Sequence, residues 1–425
     1  MRNELNDLTL KYFKNGTWLL VDFFIKTIIN FLVIIYIART IGPTNFGSLS
    51  LIIIWIAILI TLTKFGIDSL IINRISSSAK DSEISKHLSA AIQLTCITSI
   101  IIGVTYTSTV LTSSYDMRYA LLLIGIIPLT QIFYCYDLYL QGTANSKKST
   151  KIKAIAMILA ALLKITFTYT NQELHILAIA YISEHIIASL FLFYLSFKNK
   201  NIRISFKNNT TETFDLMKKS FPLFISNVST ILYMRLDQLM INYYLGKEQL
   251  GIYSSAIKYY ELWTLFCFYI SMAILPYLSK LKCRSEKEYR LKINTIFSSL
   301  TIFSIFITIF VVIFSKDIIY ITFGIEYIKS STALQLLILT APFILFRNLS
   351  IRVLVIEGYN KTIMIKTLLV LLLVLSTNIL LIPTFGINGA ALGTLISIFI
   401  GYFISTLFDR ETRWIATSVF LRFKK

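Results

Sequence analysis

Eight ionisable residues stand inside otherwise apolar runs of this 425-residue chain: Asp22, Lys26, Lys164, Glu184, Arg235, Asp237, Lys258 and Glu261. A charge at mid-membrane depth costs about 3 kcal/mol on insertion scales, so each needs a partner, a hydrated cavity or a ligand. Asp22 and Lys26 are four residues apart, on one helix face, and can pair. Lys258 and Glu261 are three apart and can do the same. Arg235 and Asp237 are two apart, point in different directions, and must each meet another helix. The deep cations Lys26, Lys164, Arg235 and Lys258 could hold an anionic head group such as a pyrophosphate. Arginine would offer a planar fork and lysine a point charge. The Asp22–Lys26 pair reads equally as a lock between helices and as part of a substrate or coupling site. Arg347 and Arg352 lie towards the end of their run and are expected to snorkel. Asp137 ends its own run and is expected at the interface.

Other chemistry finds no support. Cys96, Cys135 and Cys267 fall in apolar runs and Cys283 in a basic loop, and none has metal-ligand spacing. His87, His175 and His185 are scattered. There is no Ser/His/Asp set and no phosphate-cradling glycine loop, so neither an enzyme nor a cofactor is expected.

The elements that must position these charges are transmembrane helices. The chain is 56% hydrophobic with a mean hydropathy of +0.70, beyond the roughly 45–50% apolar share of soluble proteins. Runs of about 20 apolar residues recur, each long enough to cross the hydrocarbon core. Their many Ile, Val, Thr and Phe residues are no objection, because lipid forces the backbone to satisfy itself. About twelve spans result. They fall near 17–38, 48–62, 88–111, 119–138, 152–169, 174–197, 221–245, 253–278, 293–314, 332–356, 362–382 and 389–408. Residues 1–15 mix charge with Leu5, Leu8, Leu10 and Phe13 and read as an amphipathic lead-in rather than a signal peptide. The polar segment 198–219 divides the chain into an N-terminal lobe, 1–207, and a C-terminal lobe, 208–425, of six helices each.

The formal net charge of +19 would suggest nucleic acid in a soluble protein. Here the charge follows the loops. With the N-terminus inside, the inner segments hold Lys147, Lys148, Lys151 and Lys153, then the cations of 198–219, of 280–292 and of the tail. The outer segments hold Arg39, Arg118, Lys247, Lys316 and Lys329. An even number of spans with both termini cytoplasmic satisfies the positive-inside rule throughout. All outer loops are short, leaving no room for the large external loop a glycan polymerase or ligase uses.

Two turns carry matching punctuation. Residues 39–47 read Arg-Thr-Ile-Gly-Pro-Thr-Asn-Phe-Gly, and Gly246 and Gly251 repeat Gly42 and Gly47 at a common offset of 204, close to half the chain. This reads as a duplicated half-molecule. The first turn, the set Ser220, Pro222, Arg235, Asp237, Gly246, Gly251 and Tyr253, and the closing Pro383-Thr-Phe-Gly-Ile-Asn-Gly-Ala-Ala-Leu-Gly393 together resemble the polysaccharide-transport flippases. These are the Wzx-type O-antigen translocases of the multidrug/oligosaccharidyl-lipid/polysaccharide exporter superfamily. The resemblance covers nearly the whole chain and rests on the order and spacing of motifs that are individually weak.

The resemblance implies a MATE-like, all-α polytopic fold whose two lobes alternate access across the bacterial inner (cytoplasmic) membrane. It implies flipping of undecaprenyl-pyrophosphate-linked O-antigen or related polysaccharide repeat units from the cytoplasmic to the periplasmic leaflet. The implied surroundings are membrane lipid and, as partners, the glycan polymerase and chain-length machinery, with the chain itself a monomer and no nucleic acid involved. Arg39, Arg235 and Asp237 match the family's motif; Asp22, Lys26, Lys164, Glu184, Lys258 and Glu261 come from the burial argument alone. A multidrug cation antiporter of the same fold is the alternative, since the deep acids equal the deep bases in number. A glycan polymerase ranks below both.

Overall fold

The computed structural model describes residues 2–78, 80–112, 117–143, 145–170, 173–198 and 210–418; the side chains of residues 2–26 and of Asn360 are outside that description. Among the described residues every regular element is helical: α1 (Arg2–Lys64), α2 (Asp68–Ser77), α3 (Asp81–Thr112), α4 (Arg118–Ile124), α5 (Ile127–Gly142), α6 (Ser146–Thr170), α7 (Leu174–Lys198), α8 (Thr210–Arg284), α9 (Glu286–Thr322), α10 (Ser331–Ile338), α11 (Ala341–Glu357), α12 (Asn360–Ile398), α13 (Ser405–Phe408) and α14 (Arg413–Thr417). Among the described residues eight helices are long and apolar enough to cross a membrane, and α10 with α11 makes a ninth, bent by 44°. This is a multi-pass helical membrane protein.

Three of those helices contain a glycine whose backbone is not helical: Gly42 in α1, Gly246 in α8 and Gly386 in α12. Counting both arms of each raises nine helices to twelve segments, as the apolar runs predict. Two of the breaks are demonstrably hairpins. The Tyr253 hydroxyl donates to Asp237 Oδ2 at 2.6 Å across Gly246, although sixteen helical residues would span about 24 Å. Across Gly386, Thr377 Oγ1 lies 3.2 Å from Ser397 Oγ, and Lys366 Nζ donates to Thr406 Oγ1 at 2.7 Å. A Cβ on Gly393 would come within 2.5 Å of Asn378 Oδ1, so only glycine lets these arms approach so closely.

The related glycines share a conformation. Gly42 has φ/ψ of 74/171 and Gly246 of 84/−179, a region essentially closed to residues with a side chain. The offset of 204 thus relates two structurally equivalent breaks. The loops expected around them are instead helical almost to the glycine: one residue suffices to redirect the chain.

Packing divides the chain into two compact units, one of Met1–Thr44 with Leu236–Lys425 and the other of Asn45–Arg235. These boundaries differ from the division at 207/208 in the sequence. The first boundary lies two residues past the Gly42 break of α1, and the second falls inside the unbroken first arm of α8, where no composition shift marks it.

In the Asn45–Arg235 unit, the stretch between the second and third predicted spans contains α2. Its Ile71 and Ile75, with Ile67 just before it, are buried with Leu88, Ala91 and Leu94 of α3, Cys135 and Leu138 of α5, and Leu216 of α8. Arg74 of α2 clamps the start of α8, donating to Glu212 Oε1 at 2.6 Å and Asp215 Oδ2 at 2.8 Å. His87 Nδ1 also lies 3.0 Å from Glu212. The Lys219 hydrogen bond, and then Arg74, hold the Asp215 carboxyl below its ordinary value.

Candidate functional site

Lys164 and Glu184 face each other across α6 and α7 in the Asn45–Arg235 unit. α6 ends at Thr170 and α7 begins at Leu174, and the two helices pack against each other. Lys164 is 4% exposed; its ammonium donates to Glu184 Oε2 at 2.9 Å and sits 4.3 Å from the centroid of the Tyr181 ring. The deep cation of the fifth span is therefore neutralised by the acid of the sixth, and the aromatic face stabilises it further. Asp137, expected at the interface, is also buried, bonded to Ser149, Lys153 and Gln141.

The other unit holds Asp237, Lys258, Glu261 and Arg39. Asp237 is 3% exposed. It accepts from the Tyr253 hydroxyl and, at Oδ1, from the Gln238 backbone N–H at 2.7 Å. Tyr253 is itself fully buried, so the pair is fixed from both sides. Close along the same arm, Lys258 donates to Glu261 Oε2 at 2.8 Å, the intrahelical pair that the spacing predicts. Arg39 is exposed and donates to the Ile321 carbonyl at the end of α9 at 3.1 Å. Beside it the Tyr327 hydroxyl donates to the Ala38 carbonyl at 2.7 Å. The first glycine turn is thus latched onto the turn between α9 and α10.

Lys164 with Glu184 and Lys258 with Glu261 form two separate pairs, and Asp237 is held by a tyrosine. Arg235 lies at the last position of the Asn45–Arg235 unit, whereas Asp237 belongs to the other. Asp22 and Lys26 lie outside the residues whose side chains are described.

Tyr181, Tyr253 and Asn378 are partners that hydropathy alone does not single out. Asn378 is fully buried opposite Gly393, and neither of its amide atoms meets a protein partner. For Tyr253 and Asn378 the available signal was distance from the glycine break, because an antiparallel hairpin pairs residues equidistant from it.

Among the described residues the chain is thus a set of apolar, glycine-broken helices that carry paired internal charges, the fold class of a multi-pass membrane protein. The model of the polysaccharide biosynthesis protein family matches residues 12–282, and the chain belongs to that family. The MatE family model also matches, over residues 222–380. The capsular polysaccharide biosynthesis protein CapF of Staphylococcus aureus is 27% identical over 301 residues, covering 67% of this chain and 74% of CapF.

Among solved structures, the lipid II flippase MurJ in an inward closed conformation matches with a TM-score of 0.74 at 18% identity, covering 95% of this chain and 91% of that one. An inward-facing multidrug resistance MATE family transporter of the MOP superfamily matches with a TM-score of 0.69 at 16% identity, covering 92% and 95%. These solved relatives are transporters and a flippase, and the likeness establishes the MATE-like fold. The superfamily resemblance drawn from the turns is met by both kinds of match.

Proposed function

We propose that this protein is a flippase for lipid-linked glycans. It carries undecaprenyl-pyrophosphate-linked repeat units of O-antigen or a related surface polysaccharide from the cytoplasmic to the periplasmic leaflet of the bacterial inner membrane. The observation that carries the reading is the family match over 12–282 on a chain whose fold is shared with a lipid II flippase. The loop charges support an orientation with both termini cytoplasmic. The halves 1–207 and 208–425, related by the repeated glycine break, are the bodies that would alternate in exposing a charged central cavity.

On this reading the glycan crosses in the hydrated cavity while the polyprenyl tail stays in the bilayer. Arg39, Arg235 and Lys258, with Asp22 and Lys26, would meet the anionic carrier or couple its movement to an ion. Asp237, with its donors on two sides, is the acid best placed to exchange an ion or a proton for the Tyr253 bond. The glycan polymerase and chain-length machinery would act on the delivered unit, and the chain would work as a monomer.

Deletion and restoration of the gene test this. Loss of long surface glycan, with lipid-linked units accumulating in the cytoplasmic leaflet, is the expected result. The MatE match over 222–380 favours a second reading, a multidrug cation antiporter. Unchanged glycan with altered sensitivity to cationic drugs would select it and reject the first.

A further inference from the structure

Arg352 does not snorkel. Its helix α11 and the second arm of α8 run side by side and are tied together at their shared end, where Lys282 donates to Glu357 at 2.5 Å. Five residues before Glu357, Arg352 donates from Nε to Ser271 Oγ at 3.2 Å. Ser271 lies eleven residues before Lys282. The two contacts are thus about 16 Å apart along α8 but only about 7 Å apart along α11. The side chain of Arg352 makes up the difference by reaching back, away from the helix end and into the span. That is the direction in which helical side chains tilt, towards the N-terminus. A snorkelling arginine here would have to point the other way.

The guanidinium is held as a receptor would hold it. Its face lies 5.0 Å from the centroid of the Phe268 ring. Ser271 is fully buried and spends its hydroxyl proton on the Phe268 carbonyl at 2.7 Å, so towards Nε it is an acceptor. One edge of the guanidinium is thereby fixed in plane. Its two terminal nitrogens have no acceptor among the described residues, and no carboxylate there lies within ion-pair distance of Arg352. The one acid at this end of α11, Glu357, is engaged by Lys282. Arg347, five residues earlier on α11, stacks its own guanidinium over the Tyr402 ring at 5.0 Å.

We propose that Arg352, positioned by Ser271 and Phe268, is an anion-binding subsite in the Met1–Thr44/Leu236–Lys425 unit, one that takes the planar, two-oxygen edge of a phosphate or carboxylate on the transported molecule. The forked donor set matches such an edge. The proposal rests on the flippase reading and adds to it that the cargo is engaged through its anionic group at this place. That group is either the pyrophosphate of the lipid carrier or the carboxylate of an acidic sugar.

The test uses the purified full-length chain in nanodiscs, with three probes: undecaprenyl pyrophosphate, a soluble glucuronic-acid oligosaccharide, and phosphatidylglycerol. Arg352→Ala is expected to weaken binding of one of the first two by about tenfold or more, with Arg352→Lys intermediate. Ser271→Ala, which keeps the charge and frees the fork, should lose less than Arg352→Ala. Unaltered melting temperature in Arg352→Lys and Ser271→Ala separates lost binding from lost folding. Loss confined to undecaprenyl pyrophosphate assigns the subsite to the carrier; loss confined to the glucuronic-acid probe assigns it to the sugar. Wild-type protein that binds neither, variants that bind both as tightly as wild type, or a loss seen only with phosphatidylglycerol would overturn the proposal. Deletion of the gene judges the flippase reading separately, because tenfold weaker binding in the variant would stand even if the deletion strain kept its glycan.

Discussion

Replacing Glu184 by glutamine, Lys164 by methionine, and both together decides whether the buried pair between α6 and α7 holds the protein together or moves its cargo. Glu184→Gln keeps the shape and one acceptor oxygen but strands the Lys164 ammonium, 4% exposed, with only the Tyr181 face for company. Breaking a buried ion pair by removing one partner costs about 3–5 kcal/mol. The Tyr181 ring face is there in both proteins and cancels in the difference, whereas Glu184, with its side chain 31% exposed, was never fully desolvated, which lowers the cost. The expected net loss is therefore about 2 kcal/mol. Lys164→Met should cost less, about 1 kcal/mol, because the half-exposed carboxylate can hydrate or take up a proton. In the double variant nothing charged is left to strand. It should lie within about 1 kcal/mol of wild type, a coupling of about 2 kcal/mol in the cycle. Reversible unfolding of the four proteins in one detergent measures the cycle, and surface glycan from cells expressing each measures transport. If both single variants keep wild-type stability and the double variant shows no coupling, while transport is lost in all three, the pair is transport machinery and the structural reasoning fails.

Gly246→Ala meets no neighbour within 4 Å but must adopt φ near +84, so it should lose about 1–3 kcal/mol through the backbone alone, as read by unfolding; an unchanged melting temperature would contradict the hinge geometry. Tyr253→Phe removes the 2.6 Å donor to Asp237 and should destabilise by about 1–3 kcal/mol, which the same measurement checks. Cys283 is exposed while Cys135 and Cys267 are buried, so a membrane-impermeant maleimide should label Cys283 in inverted vesicles and not in intact cells; labelling of Cys283 in intact cells would reverse the proposed orientation. The Arg74 clamp depends on ionised carboxylates, and the lowered Asp215 contributes above its unfolded pKa and is lost as pH falls through its folded value. Arg74→Ala should therefore narrow the stability difference from wild type as the pH drops below about 4, and a difference independent of pH would show that the clamp is not electrostatic.

The chain's composition and spacing determined its class. Apolar runs of membrane length, basic inner loops and the glycines at 42 and 246 are local properties, and each acts through a few neighbouring residues. Membrane helices form because lipid leaves the backbone no other partner, so hydropathy alone locates them. For the same reason the i,i+3 pair Lys258–Glu261 could be read directly: one turn of one helix contains both groups.

Tertiary structure decided everything that depends on how each helix is rotated about its axis. Lys164 was legible as a buried cation, but its acid stands twenty residues away on the next helix, and only the α6–α7 packing brings them together. Asp237 meets Tyr253 because the arms of α8 fold back at Gly246, and hydropathy carries no record of which faces then touch. Arg352 shows the limit most plainly. Its place near the end of a span suggested that it would reach for water, yet the register between α8 and α11 places Ser271 and Phe268 on its inward side. The division at 235/236 inside the first arm of α8 was hidden as well, because a helix that passes from one packed unit to the other keeps the same composition along its length.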